Sequence, residues 1–541
     1  MTTAAEARSV TQLPLVTSRI LVADPIAEDG VARLRAAGEV DVATGLSREE
    51  LIERIPGYDA LVVRSETRVT AEVLAAGTRL KVVGRAGVGV DNIDIDAATR
   101  HGVLVLNAPT GNTIAAAEHA VALMCALARN VAPADQSLHA GRWERSKFMG
   151  MELRDKTLGL LGLGKIGVEV ARAASQGLLM RVIAHDPLVT PERAEQAQVE
   201  LVDLDTLIRE SDVLSVHTPL NASTRGIIGA EQLRAMKPTA RVINVARGGI
   251  VDEEALAAAL HAGEIAGAAV DVFTKEPPPP DHPLLRAPGV LLTPHLGAST
   301  HEAQVNVAYD VADQIVAVLS GGAARYAVNA PVILPEEMAA LQPYLHLAHQ
   351  MGSLAAQMGA GQVSEVVCSY TGELADRDTT VLTAEALRGL LARFTETRIN
   401  PINARAVARQ HGIEVGESRS SRSVDYANSM LLEVVGGERL SIAGTQLEGE
   451  AWITRVNGYK VRMRPEGRYL IGTNRDLPGV IAGISSHLAQ HDINIANFGL
   501  GRDQPRGHAL FYVEVDDSVP GEVLGEMQAT IGLESVREVQ L

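Results

Sequence analysis

Three polar side chains that could cooperate in oxidising a small hydroxylated anion stand just after apolar runs in the middle of the chain. Arg247 follows the run 241–246 and precedes Gly248 and Gly249, which leave room for a ligand to approach. A guanidinium can hold a carboxylate by two parallel charge-assisted hydrogen bonds, fixing orientation as well as charge. Glu276 lies in Asp271-Val272-Phe273-Thr274-Lys275-Glu276-Pro277, and His295 lies in Thr293-Pro294-His295-Leu296-Gly297. A histidine in a cofactor cleft can take a hydroxyl proton as a hydride departs, and return it in the reverse direction. A carboxylate beside it favours the imidazolium form. Singly, each residue reads as an ordinary strand-end side chain. Together, on successive strand ends of one domain, they read as a catalytic set.

The cofactor reading rests on Gly162-Leu163-Gly164-Lys165-Ile166-Gly167, which follows the apolar run 157–161 and precedes a helical pattern over 168–176. In that context the first glycine allows a tight turn, the second lets backbone approach a pyrophosphate, and the third lets helix pack on strand. The free N–H groups of that helix's N-terminus then face the phosphates, with Lys165 and Ile166 of the motif as further cofactor contacts. Asp186 follows Gly167 by 19 residues, at the end of the next strand, where a carboxylate can accept both ribose hydroxyls. It would repel a 2′-phosphate, and no arginine follows immediately, so NAD is expected over NADP. A metal site is not expected.

These residues need a scaffold of strands with functional C-terminal ends. Apolar runs at 20–24, 60–65 and 81–87 alternate with helical patterns at 27–37 and 48–55, which predicts an open parallel sheet. A helix is expected over 114–128. Six further strands between 157 and 293 predict a second doubly wound domain. A helix over 302–319, ending at Gly321-Gly322, is expected to pack back on the first domain. The expected domains are a mobile tail 1–17, a discontinuous substrate-binding domain 18–115 with 300–326, and an NAD-binding Rossmann domain 116–299. An α+β intervening domain over 327–465 follows, with a helix near 338–358, strands near 363–370 and 430–435, and a helix near 383–394. From 466 to 541 the order strand, helix, strand, strand, helix, strand predicts a ferredoxin-like module.

With these elements in place, the motifs resemble a known family. VARGGIVDEEAL (245–256), DVFTKEP (271–277) and TPHLGAST (293–300) are similar to the NAD-dependent D-2-hydroxyacid dehydrogenases. GRAGVGVDNID (84–94), NAPTGNTIAAAEH (107–119) and GRWERSKFMGMEL (141–153) point within them to the long-form phosphoglycerate dehydrogenases. The resemblance runs from Arg19 onward. It implies that Arg247 anchors the substrate carboxylate, His295 is the acid/base and Glu276 its partner. It also implies that Asp186, Thr218 and Asp271 contact NAD, with Val245, Ala246, Leu296, Gly297 and Ala298 of the same motifs beside it. The implied substrate is 3-phospho-D-glycerate, the implied product 3-phosphooxypyruvate, and the last module is an ACT domain.

A phosphorylated acid is negative at both ends, so cations must gather locally. Arg64 and Arg85 end two strands of the first domain, and Arg145 lies on the connection between domains; all three are candidate substrate contacts. In the last module, Asn474 and Asp476 precede Pro478-Gly479, where helix N–H groups could meet an α-carboxylate and Asp476 an ammonium. Asn494 would approach across a paired module. L-serine is the effector expected there, and a homo-oligomer, dimer or tetramer, the expected assembly.

The totals narrow the classes. The chain has 541 residues, enough for three or four domains, and carries 66 acidic against 49 basic residues, a net charge of −17. Such a surface repels nucleic-acid backbones and anionic headgroups, and no apolar run approaches a membrane span. Only Cys125 and Cys368 are present, which excludes a disulfide framework and fits the cytoplasm. Two other readings stay open: a dehydrogenase for 2-hydroxyglutarate, glyoxylate or hydroxypyruvate, and an NAD-sensing regulatory protein without turnover.

Overall fold

Short strands, apolar at the sheet centres and joined by helices, build two parallel sheets, whose central strands are buried on both faces. The computed structural model describes residues 18–322, 324–330, 335–359, 361–395, 399–422, 425–437 and 439–541. The expected tail 1–17 lies outside them. In the first sheet β1 (Ser18–Val22), β2 (Gly38–Val42), β3 (Ala60–Val63), β4 (Val82–Arg85) and β5 (Leu104–Asn107) run in the order β2-β1-β3-β4-β5. The strand β2 has no counterpart among the expected runs.

The second sheet holds β6 (Thr157–Leu161), β7 (Arg181–His185), β8 (Glu200–Leu201), β9 (Val213–Val216), β10 (Arg241–Asn244), β11 (Gly267–Val270) and β12 (Val290–Leu292). Its order is β12-β11-β10-β9-β6-β7-β8, the doubly wound arrangement with one strand more than the six expected. The chain reverses direction across the sheet between β6 and β9, and ligands of such folds bind at the strand ends beside that point. The helix Thr113–Ala128 packs on this sheet through Ala117, Ala120, Leu123 and Leu127. The helix His301–Leu319 returns to the first sheet, where Val307, Val311 and Ile315 share a core with Ile20, Val22 and Val82. Gly84 makes this close approach possible: a Cβ there would lie 2.6 Å from both Val311 and Ile315 side-chain carbons.

The helix Pro335–Met358 leads into a six-stranded mixed sheet of β13 (Glu365–Thr371), β14 (Glu414–Ser420), β15 (Ser429–Val435), β16 (Arg439–Leu447), β17 (Glu450–Val456) and β18 (Tyr459–Met463). Its order is β14-β13-β15-β16-β17-β18, with only β13 and β14 parallel. Last come β19 (Arg468–Arg475), β20 (Ile495–Arg502), β21 (His508–Val515) and β22 (Ser535–Gln540), an antiparallel sheet ordered β20-β21-β19-β22. The helices Val480–Gln490 and Gly521–Ile531 cover one face, the ferredoxin-like arrangement expected. The opposite face, with Tyr469, Ile471, Leu510, Tyr512 and Val539, is buried in the same core as Leu347, Met351 and Ile442 of the preceding unit. Among the described residues no single helix is long and apolar enough to cross a membrane.

Candidate active site

The turn after β6 has three glycines for three different reasons. Gly162 adopts φ 100° and donates its N–H to the His185 carbonyl (3.0 Å); a Cβ would sit 2.7 Å from the His217 carbonyl oxygen. At Gly167 a Cβ would lie 2.4 Å from the Gly162 oxygen, so helix and turn can close only on a glycine. Gly164 differs, since nothing lies within 4 Å of a Cβ built there. It caps the helix Lys165–Arg172, so the space above it adjoins free helix N–H groups and is fitted to a pyrophosphate. Asp186, after β7, is oriented by the Leu163 and Leu188 amides, both at 2.9 Å, with lone pairs to spare for ribose hydroxyls. These features fit a dinucleotide. The Lys165 ammonium points elsewhere, 5.7 Å from the Tyr326 ring centre.

A cleft of about 760 Å³ opens between the two parallel sheets, at the ends of their strands. Ile166, Thr218, Val245, Ala246, Gly297 and Ala298 line it, and so do Arg64, Arg85, Arg247, Glu276 and His295. Two strand ends of the second sheet bring the candidate acid/base pair together: Glu276 comes from the loop after β11 and His295 follows β12. Their side chains meet with His295 Nδ1 2.7 Å from Glu276 Oε2. The other carboxylate oxygen, Oε1, accepts the Phe273 N–H at 3.0 Å. Burial alone would raise the Glu276 pKa, but the hydrogen bonds from His295 and Phe273 outweigh it and hold the carboxyl below its ordinary value. With Nδ1 committed to the carboxylate, Nε2 is the ring atom left to exchange a proton. His217 also lines the cleft, yet burial pulls its pKa down to about 4, so it stays neutral.

The turn that presents His295 rests on Asp271. His295 has φ 55°, and its N–H donates to the Asp271 carbonyl at 2.8 Å. The Asp271 carboxylate, fully buried, accepts from Thr293 Oγ1 (2.6 Å), Leu296 N–H (2.7 Å) and Gly297 N–H (2.9 Å), with His119 Nε2 at 3.1 Å. Asp271 thus underlies the site rather than lining it, and Leu296 contributes its amide to the same turn. His119 is a supporting residue that the sequence reading does not single out.

Arg64, Arg85 and Arg247 converge from both sheets. The glycines that follow Arg85 explain how: a Cβ at Gly87 would lie 1.8 Å from Arg85 Nη1, and one at Gly89 1.8 Å from Arg247 Nη2. Arg247 Nε donates to Asp91 Oδ2 across the cleft (3.0 Å), and Nη1 to the Ala246 carbonyl (2.7 Å). The Arg64 backbone is pinned by Asp24 and Asn92. Arg85 carries the electrostatic strain. Burial, then repulsion from Arg247 and Arg64, draws its pKa down to about 10, with Asp91 and Asp24 opposing. Its Nε is buried without a hydrogen-bond partner among the described residues. An anion entering the cleft meets three guanidinium groups, of which Arg85 is repelled by the other two. Arg145 is not among the lining residues; it is exposed on the short helix Arg145–Phe148. Asp24, Asp91 and Asn92 are site residues the sequence reading misses, and the closely spaced Gly87 and Gly89 are the signal that could have revealed the arginine seats.

In the C-terminal unit Asn474 is 2% exposed, with Nδ2 on the Arg475 carbonyl (2.6 Å) and Oδ1 without a hydrogen-bond partner among the described residues. Asp476 already accepts from Arg502 Nη1 (3.2 Å) and the Arg506 N–H (3.0 Å). Asn494 is apart from both, bonded to Asp516 at 2.6 Å.

Comparison with known proteins agrees with this geometry. Residues 121–297 match the NAD-binding domain of the D-isomer-specific 2-hydroxyacid dehydrogenases, and residues 340–456 match the D-3-phosphoglycerate dehydrogenase intervening domain. A D-3-phosphoglycerate dehydrogenase from Archaeoglobus fulgidus is 46% identical over 97% of this chain and 100% of its own length. The Bacillus subtilis enzyme of the same name is 38% identical over 97% of this chain and 99% of its own. Among solved structures, a Thermus thermophilus protein (36% identity, TM-score 0.54) covers 57% of this chain with 99% of its own. A glyoxylate reductase from Paecilomyes thermophila (30% identity, TM-score 0.54) covers 60% with 100% of its own. Glycine turn, acid/base pair, arginine cluster and near full-length similarity converge: the chain belongs to the D-3-phosphoglycerate dehydrogenase family of D-isomer-specific 2-hydroxyacid dehydrogenases.

Proposed function

We infer that the chain oxidises 3-phospho-D-glycerate to 3-phosphooxypyruvate with NAD, the first step of L-serine biosynthesis. The observation that carries the reading is the gathering of Arg64, Arg85 and Arg247 around one cleft beside the His295–Glu276 pair. A substrate with a carboxylate at one end and a phosphate at the other relieves the mutual repulsion of those cations. Arg247 has N–H groups beyond those given to Asp91 and Ala246, enough to grip the carboxylate. Arg64 and Arg85, from the opposite sheet, take the phosphate. This two-ended grip orients the C2 hydroxyl towards His295 Nε2, which accepts its proton while Glu276 balances the imidazolium charge. Bound NAD supplies the hydride acceptor for C2, which becomes a ketone. In reduction His295 returns the proton to the C2 oxygen.

The direct test compares initial NADH formation from 3-phospho-D-glycerate with that from D-glycerate and D-2-hydroxyglutarate. The reading expects a preference in kcat/KM of at least about 100-fold, as two charged contacts are worth. Equal values would favour a general 2-hydroxyacid dehydrogenase.

The finer regulatory and assembly readings extend this proposal. The ferredoxin-like unit is read as an ACT domain, and the buried Asn474 Oδ1, without a hydrogen-bond partner among the described residues, supports an L-serine site with Asp476, to which Asn494 would come from a paired module. A serine titration that changes neither rate nor melting temperature would remove it. Trp143 (82% exposed) and Met149 (84%) lie with exposed Val131 and Leu138 on one stretch of chain, which supports a homo-oligomer. Arg145, between them and outside its own chain's cleft, would then serve the cleft of a second copy. Light scattering showing a monomer would end both readings. Two free cysteines fit the reducing cytoplasm.

A further inference from the structure

We propose that Glu253 is a positioning residue for the reaction, holding the loop that carries Glu276 and thereby keeping the Glu276 carboxylate on His295. Glu253 opens the helix Glu253–Ala262 and does not touch the cleft. Its side chain is 11% exposed, and among the described residues its carboxylate bonds to that loop at Thr274 and His282. Oε1 accepts both the Thr274 N–H (2.6 Å) and the Thr274 hydroxyl (2.7 Å). Oε2 accepts from His282 Nε2 at 2.8 Å, and the Leu284 N–H directed at His282 Nδ1 (3.4 Å) identifies Nε2 as the protonated ring atom. One carboxylate thus fastens the loop at two points, one on each side of Glu276.

The loop has need of such anchors. An apolar pocket of about 430 Å³, lined by Phe273, Pro277, Leu285 and Pro294, undercuts it beside Glu276 and His295. Packing alone does not hold it from that side. On the other side Gly248 presses directly on it: a Cβ at Gly248 would lie 2.0 Å from the Phe273 carbonyl carbon and 2.3 Å from the Thr274 nitrogen. The turn bearing Arg247 and the loop bearing Glu276 are therefore interlocked, and Glu253, five residues beyond Gly248, secures the lock. The Phe273 N–H, next to the fastened Thr274, in turn grips Glu276 Oε1. Misplacement of a catalytic group by about 1 Å is enough to slow a reaction substantially.

The inference rests on the reading of His295 and Glu276 as the proton-transfer pair, and the experiment separates the two. Single-turnover NADH formation is measured for the full-length wild type, Glu253→Gln, Glu276→Gln and the double variant, with KM for 3-phospho-D-glycerate and Kd for NAD. Glu253→Gln keeps one acceptor, for Thr274, and turns its amide NH2 towards the His282 Nε2–H, which then has no acceptor. The expected result is a 5- to 20-fold slower single turnover with KM and Kd within twofold of wild type. In the Glu276→Gln background the same substitution is expected to slow the reaction by less than twofold, because there is no longer a carboxylate to place. A wild-type rate for Glu253→Gln, or losses that multiply in the double variant, would overturn this proposal alone. A wild-type rate for Glu276→Gln would remove the proton-transfer reading beneath it.

Discussion

Arg85 illustrates how function is set against stability at a single residue. Its guanidinium is buried and repelled by Arg247 and Arg64, and its Nε has no hydrogen-bond partner among the described residues, so protonated Arg85 opposes folding below its depressed pKa of about 10 and does so throughout the physiological range. Arg85→Met is expected to raise the melting temperature of the ligand-free protein, by roughly 1–3 kcal/mol of stability. It should raise KM for 3-phospho-D-glycerate by at least about tenfold, and calorimetry with steady-state kinetics would show both. Asp271 has the opposite sign. Burial would raise its carboxyl, but hydrogen bonds from His119, Thr293 and Leu296 outweigh that and hold it below 3.8. The unfolded chain therefore takes up this proton at a higher pH than the folded one. The stability it adds is complete above the unfolded value and is lost as pH falls through the folded value. Urea titrations between pH 5 and 2 should lose stability less steeply in Asp271→Asn than in the wild type.

At the scale of elements, the glycine turn gives the sharpest contrast. Gly164→Ala places a methyl in open space, so the fold and melting temperature should be unchanged while NAD affinity falls about tenfold or more. Gly167→Ala drives a methyl into the Gly162 carbonyl and should lower the melting temperature before affinity can be measured. Isothermal titration and thermal melts distinguish them. That turn, the strand ends and the proposed catalytic residues are legible in sequence because each is local: a glycine spacing, or a polar residue closing an apolar run. Edge strands are not. Neither β2 nor β14 has a fully buried position, and charged residues interrupt both, so neither shows an apolar run. β8 is only two residues long. The reading that stops at one strand over 430–435 overlooks hairpins that are legible at Glu448-Gly449 and Asn457-Gly458, whose φ angles are all positive. Asp24, Asp91 and Glu253 were not legible at all. Their partners are 21 to 156 residues away, and only the folded sheets bring them together.

Over the whole molecule, the two C-terminal units behave as one body by their packing. Ile471 of the ferredoxin-like sheet is 3% exposed in the core of the preceding unit, and Gln357 bonds the backbone of Gln540 on β22 through both its amide atoms. Ile471→Ala should cost about 2–5 kcal/mol and should loosen both units together in hydrogen exchange. Exchange confined to residues after 466 would show that they unfold separately. This body meets the first domain where Asn400 bonds the Gly102 carbonyl (2.6 Å), with Asn403 on Arg100 (3.3 Å), at the turn that feeds β5. The C-terminal body thus has a physical connection to the strand leading into the cleft. All of these roles depend on turnover at the cleft, and one measurement tests that most directly: the rate of NADH formation from 3-phospho-D-glycerate by wild type and by His295→Asn. The account predicts an active wild type and a variant about 10²- to 10⁴-fold slower with its NAD affinity intact. A variant that turns over at the wild-type rate would contradict it.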